Sequence, residues 1–371
     1  MKFQRTSRLT ALFAAGSLAL AACGGTDDDT ATTNPTASGS GSGKTSLSGT
    51  IAGAGASSQA AAMEGWIAGF QEGNPDATVN YDPIGSGGGR KQFLAGGATV
   101  FAGSDAALKK EEIAMAQTRC GDGGLVELPL YISPIAVAFN LPDIDTLNLG
   151  PATLAGIFKQ DIKKWNAPQI AKDNPDAKLP NLDITPVNRL DESGTTENFT
   201  EYLAAVAPEV WTFEPSGDWP VPGGESAQGT SGVIQATTAA EGAITYADAS
   251  QVGDLGTVAV GVGGEFVEYS PKAAAEVVAN SPRVEGGPEG SLAIELARDT
   301  KESGNYPIVL VSYSLACQSY DDAKQGELVK AFLSYIASED GQAAAAEAAG
   351  SAPISDKLRT DALAIIEKIG A

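Results

Sequence analysis

The residues best suited to chemistry gather between Thr185 and Phe199. A short β-compatible run there leads into a polar loop holding Arg189 and Asp191. Ser193, Gly194 and Thr195 then stand at a predicted helix start that continues through Phe199, Tyr202 and Leu203. A helix start leaves several backbone N–H groups without partners and carries a partial positive charge, so Ser-Gly-Thr there offers a cluster of donors to an anion. Arg189 adds a planar fork of donors with a permanent charge. Together these residues compose an oxyanion clamp. The same stretch also fits an ordinary N-cap and a loop ion pair, and alone it leaves both readings open.

Three further stretches offer related chemistry. Gly53-Ala-Gly-Ala-Ser57-Ser58 follows a strand predicted over 48–52 and precedes a helix predicted over 59–70, where Met63, Trp66, Ile67 and Phe70 recur at helical spacing. Ile84-Gly-Ser86-Gly-Gly-Gly-Arg90-Lys91 follows a strand predicted over 77–81 and enters a helix predicted from Arg90 through Leu94. Gly103-Ser104-Asp105 follows a strand predicted over 100–102 and precedes a helix predicted over 106–117. Glycine lets a backbone approach a ligand closely, and serine donates both N–H and hydroxyl. N-capping is the competing account of Ser57 and of Asp105. Arg90 stands where a dinucleotide-binding turn needs its third glycine, so that fingerprint is not supported.

The elements that must position these residues alternate along the chain. Strands are predicted over 125–131 and 135–140, bracketing Ser133-Pro134, and again over 242–246, 257–261 and 308–313. Helices are predicted over 151–159, 231–239, 271–280, 321–338, 339–348 and 355–369. This is an α/β pattern with a largely parallel sheet. A length of 371 residues suggests two lobes or domains, and 43% hydrophobic residues can bury a sizeable core. The chain has 46 acidic and 24 basic residues, a formal net charge of -22. That field disfavours nucleic acid as a partner, since binding a polyanion needs clustered Lys and Arg. There is no histidine, which removes histidine-based triads, histidine general bases and the common zinc sites.

Residues 1–22 read as a secretory signal, with a basic start and an apolar stretch too short to span a bilayer comfortably. It ends in Leu20-Ala-Ala-Cys23, similar to the lipobox of bacterial lipoproteins. Cys23 is therefore the expected lipidation site, with an ordinary cleavage site that happens to precede a Cys as the alternative, and the mature chain would lie lipid-anchored on the outer face of the cell membrane. Residues 24–46, rich in Thr, Asp, Ser and Gly, read as a disordered tether. Within it Ser38–Thr45 imitates a phosphate-binding P-loop, but lacks its first glycine and a preceding strand. Outside the membrane the remaining pair, Cys120 and Cys317, is a candidate disulfide; two buried free thiols are the alternative.

Taken in order, Gly53-Ala-Gly-Ala-Ser57, Ile84-Gly-Ser86-Gly, Gly103-Ser-Asp105, Ile162-Lys-Lys-Trp165, Arg189-Leu-Asp-Glu-Ser-Gly-Thr195 and Gly242-Ala-Ile-Thr-Tyr246 resemble the PstS-type phosphate-binding proteins that serve the Pst ABC transporter. The resemblance spans roughly residues 47–371. It implies a two-lobed periplasmic-binding-protein fold with two interlobe crossovers, near 131–136 and 306–312. Lobe I would comprise 47–132 and 310–371, and lobe II 135–308. It implies that phosphate meets Ser57, Ser58, Ser86 and Asp105 from lobe I and Arg189, Ser193, Gly194 and Thr195 from lobe II. Asp105 is then the expected filter: it can face an oxyanion that brings a proton, as phosphate does and sulfate does not. The implied protein is a monomer without catalytic activity, cofactor or metal, whose partners are phosphate, the permease subunits and, through its lipid, the membrane. The chain departs from the family at Ser58, where a bulky apolar residue before Pro is common, and at Glu192, which replaces a usual glycine and adds negative charge beside the clamp. The sequon at Asn198-Phe199-Thr200 falls inside a predicted helix and reads as accidental. A binding lipoprotein for another oxyanion, or an exported phosphoester hydrolase, are the alternatives. The second lacks histidine, an acidic metal cluster and a nucleophile elbow.

Overall fold

This computed structural model describes residues 47–370. The signal, Cys23, the tether and the P-loop imitation lie outside the described residues. The chain begins β1 (Gly49–Gly55), α1 (Ala60–Gly73), β2 (Ala77–Asp82), α2 (Ser86–Ala95), β3 (Thr99–Ser104) and α3 (Lys110–Cys120). It continues β4 (Leu125–Phe139), β5 (Thr146–Leu149), α4 (Pro151–Phe158), α5 (Pro168–Asp173), β6 (Thr185–Arg189) and α6 (Gly194–Val206). Next come β7 (Glu225–Ala227), α7 (Gly229–Ala239), β8 (Ala243–Asp248), β9 (Gly256–Val262), β10 (Glu265–Val267) and α8 (Pro271–Ala279). It closes with β11 (Val309–Cys317), α9 (Ala323–Ala337), α10 (Glu339–Ala349) and α11 (Asp356–Ile366).

The strands follow the order β2-β1-β3-β11-β4-β8-β6-β7, with β9 against the end of β4 and carrying β5 and β10. The joining strand is β4, buried along its whole length. Its first part pairs antiparallel with β11 from Leu125 to Pro134, and its last part pairs antiparallel with β8 from Ile135. Where the sequence predicts two strands broken at Ser133-Pro134, one strand therefore runs through and changes partner. Proline has no N–H to contribute to a ladder, so the change of partner is where it does least harm. A second passage runs beside the first just before β11: the Ile135 N–H donates to the Ile308 carbonyl at 2.8 Å, and the Tyr306 hydroxyl to the Ile135 carbonyl at 2.8 Å. Two strand sets thus form two lobes, one around β1 and the other around β8.

The sheet is mixed, and not largely parallel as the alternation predicts. Its flanks are parallel, β1 with β2 and β3, and β6 with β7 and β8, while β4 and β11 are antiparallel to all their sheet neighbours. A strand's own apolar pattern is blind to its direction, which only its partners fix. The short elements β5, β7 and α5 carry too few residues for a periodic signal and are not anticipated. Apolar spacing does predict α1, which buries Met63, Trp66 and Phe70. From the far end of the chain Phe332 packs edge-on to Phe70 at 5.3 Å, and the Gly341 carbonyl accepts from Trp66 Nε1 at 2.7 Å. Cys120, ending α3, and Cys317, ending β11, form a disulfide with Cα atoms 5.1 Å apart. The first lobe is therefore built from both ends of the folded chain.

Candidate oxyanion site

Three turns of the first lobe meet. Ser57 and Ser58 lie between β1 and α1, yet neither caps that helix, which starts behind Gln59 without a side-chain cap. Ser58 Oγ instead donates to both carboxylate oxygens of Asp105, at 2.7 and 2.8 Å. Asp105 does not cap α3 either. That helix starts at Lys110, and its entry is served by Glu112, which accepts from the Lys109 N–H at 2.9 Å. Ser86 is the first residue of α2, and its Oγ accepts from the Asp105 N–H at 3.1 Å. The helix starts at Ser86, four residues earlier than predicted, although three glycines follow. Gly89 lies so close to β1 that a Cβ would come within 2.3 Å of Gly55 Cα. Tertiary contact holds helical a run whose intrinsic preference is against it.

The second lobe closes over these turns. Arg189 ends β6, and its Nε donates to Asp191 Oδ1 at 2.9 Å while Nη2 donates to Oδ2. Ser193 caps α6 by accepting from the Thr196 N–H at 3.2 Å. The ordinary N-cap and loop ion pair are thus both present. Thr195 Oγ1 reaches across to donate to Asp105 Oδ2 at 2.9 Å. Gly194 faces the first lobe so closely that a Cβ there would lie 2.7 Å from Asp105 Cβ and 2.8 Å from Ser86 Oγ. Burial pushes the Asp105 carboxyl above its ordinary range, against the opposing pull of the Ser58 and Thr195 hydroxyls and the Arg189 charge. Asp191 is also pushed up by burial, but its bonds to Arg189, that residue's charge and the Gly229 N–H outweigh this and hold it low.

All eight sequence-predicted residues fall in this one interlobe region, and all are buried. Sequence reasoning missed Thr230, whose N–H donates to Ser57 Oγ at 3.0 Å, and Gly229, whose N–H donates to Asp191 Oδ1 at 3.0 Å. These open α7, which begins two residues before its predicted start, so a second helix N-terminus faces the clamp. The available signal was Gly229-Thr230 before a helix, the same pair as Gly194-Thr195. Gln251 is a further omission, donating to the Ser57 carbonyl at 3.0 Å. Two of the motifs quoted above support one another: Trp165 Nε1 donates to the Gly242 carbonyl at 3.0 Å, and the Tyr246 and Thr196 hydroxyls share a bond of 2.8 Å.

The negative charge that Glu192 adds beside the clamp is paired: its carboxylate accepts from buried Arg90 at 3.0 Å and from Lys91 at 2.7 Å, and its carbonyl accepts from the Gly87 N–H at 3.1 Å. It joins the second lobe to α2 of the first. Burial raises its carboxyl, but the Lys91 bond and the charges of Arg90 and Lys91 prevail and hold it low.

The PBP superfamily domain model matches residues 33–340. The phosphate-binding protein PstS3 of Mycobacterium bovis (strain BCG / Pasteur 1173P2) is 37% identical over 339 residues, 90% of each chain. The phosphate-binding protein PstS of Pasteurella multocida is 33% identical over 309 residues, 80% of this chain and 84% of its own. Among solved structures, a high affinity periplasmic phosphate-binding protein bound with phosphate aligns with a TM-score of 0.68 at 23% identity, covering 85% of this chain and 93% of that one. A phosphate-binding protein from Stenotrophomonas maltophilia aligns with a TM-score of 0.66 at 22% identity, covering 85% and 94%. With its two-lobed α/β fold and two crossovers, the chain belongs to the periplasmic-binding-protein superfamily and, within it, to the PstS-type phosphate-binding proteins.

Proposed function

We propose that this chain captures inorganic phosphate between its lobes, outside the cytoplasmic membrane, and passes it to an ABC permease for import. The observation that carries the reading is Asp105: a buried carboxylate bonded by a hydroxyl from each lobe, Ser58 at 2.7 Å and Thr195 at 2.9 Å. The starts of α6 and α7 stand close by, and the Arg189 charge acts on the same carboxylate. An acceptor so placed welcomes an oxyanion with a proton and repels one without. Ser57, Ser58, Ser86 and Asp105 would hold phosphate from lobe I (47–132 and 310–371), and Arg189, Ser193, Gly194 and Thr195 from lobe II (135–308). The names of the PstS relatives agree with this ligand. Lipidated Cys23 and the tether 24–46 would hold a monomer at the membrane within reach of the permease subunits. Calorimetry of the purified full chain with phosphate, sulfate and methylphosphonate tests the reading. Phosphate is expected to bind and sulfate to be rejected; sulfate binding of equal strength would remove Asp105 from its role and the reading with it.

A further inference from the structure

Asn198 is buried on α6, which rules out its sequon as a glycan site, and all of its amide is used. Its Nδ2 donates to the Asp105 carbonyl at 2.7 Å, across the cleft, and to the Gly194 carbonyl at 2.8 Å. Its Oδ1 accepts from Arg298 Nη2. Arg298 is itself buried, donating from Nη1 to the Val309 carbonyl at 2.7 Å and from Nη2 to Glu201 at 2.9 Å. A side-chain amide turns over easily unless its neighbours distinguish oxygen from nitrogen. Here they do. A guanidinium has no acceptor and a carbonyl has no donor, so only one orientation satisfies all three partners.

The backbone of Asp105 is thereby fixed at both ends of the residue. Its N–H is held by Ser86 Oγ at 3.1 Å and its carbonyl by Asn198. We propose that Asn198, oriented by Arg298, is a positioning residue for ligand discrimination: it prevents the Asp105 carboxylate from retreating before an unprotonated oxyanion. The proposal rests on the phosphate reading above. A carboxylate that can swing aside no longer imposes the full repulsion, so loss of the anchor weakens rejection of sulfate and not only affinity for phosphate.

The experiment is a calorimetric comparison of phosphate and sulfate between pH 5.5 and 8.5, using the full chain and variants whose folding is checked by thermal melting. A wild-type protein that fails to prefer phosphate overturns the underlying reading, and this proposal with it. With the wild-type preference established, Asn198→Leu is expected to weaken phosphate binding roughly tenfold, the loss of about one buried hydrogen bond. It should also lower the phosphate-to-sulfate ratio and alter the pH profile of affinity. Equal weakening for both anions with an unchanged profile overturns the proposal and leaves Asn198 as a closing contact. Should Asn198→Leu not fold, the Arg298 pair decides. Lysine at 298 is still only a donor and is expected to keep the ratio, whereas glutamine can accept, releases the amide and lowers it. Identical ratios for Arg298→Lys and Arg298→Gln overturn the proposal.

Discussion

Asp105 is drawn in two directions, since burial favours its neutral form while two hydroxyl donors and the Arg189 charge favour its anion. If its charge is what rejects a fully ionised oxyanion, Asp105→Asn should admit sulfate while keeping the shape of the site; calorimetry showing unchanged selectivity would count against that role. Arg189→Ala should cost at least about 2 kcal/mol of phosphate affinity, because it also leaves half-buried Asp191 without its cation. Retained affinity would take Arg189 out of the site. Asp248, ending β8 opposite Ile135 of β4, behaves differently. It accepts from the Tyr131 hydroxyl at 3.1 Å and the Ser250 N–H at 2.9 Å, yet burial pushes its carboxyl up to about 6. A raised carboxyl stabilises the fold fully below its unfolded value near about 4 and loses that contribution as pH climbs through about 6. Asp248→Asn should therefore flatten the fall in stability across that window, as read by denaturant unfolding; an unchanged slope would mean that Asp248 does not titrate there.

Among elements, the loop before α6 and the first turns of α2 matter most, because they touch across the cleft. Glu192 bonds Arg90, Lys91 and the Gly87 N–H, contacts that exist only when the lobes are together. A residue that favours the closed state raises apparent affinity by enlarging the binding-competent fraction. Glu192→Gly is expected to weaken phosphate binding by roughly fivefold, the worth of about 1 kcal/mol for a part-exposed ion pair, and to reduce the salt dependence of affinity. Unaltered affinity in both low and high salt would make the contact incidental. How much of this was legible differs from helix to helix. The start of α6 could be read, since Ser193, Gly194 and Thr195 carry cap and donors in consecutive residues. The start of α2 could not, because glycines discourage a helix until β1 lies against them. The start of α7 was readable in principle from Gly229-Thr230, but that pair has no neighbouring charge to draw notice.

For the molecule as a whole, the Cys120–Cys317 bond ties residues 197 positions apart within the first lobe. Reduction should lower unfolding free energy by about 2–5 kcal/mol, measured by denaturant titration with and without a reductant. A midpoint that does not move would show the lobe to be held by its core alone. That core is continuous from Trp66 and Phe332 through β4 to Phe158 and Tyr246, so the lobes share packing along the crossover strands. Phosphate at about a hundred times its dissociation constant should add about 2.7 kcal/mol to stability through binding the closed form. A melting temperature indifferent to phosphate would contradict capture between the lobes.

By itself the sequence determined which residue types could meet an oxyanion and where α6 receives them, because hydroxyls beside a helix start, a fixed cation and glycine turns are local features of the chain. It also determined that strands and helices alternate, since apolar spacing records burial. Only the tertiary structure decided that Ser58 and Thr195 share one carboxylate from opposite lobes, that β4 passes unbroken between the two strand sets with its direction opposed to its neighbours, and that Glu192 is neutralised by α2. Those facts concern residues far apart in the chain, and strand direction, interlobe distance and charge pairing are set by what the fold brings together.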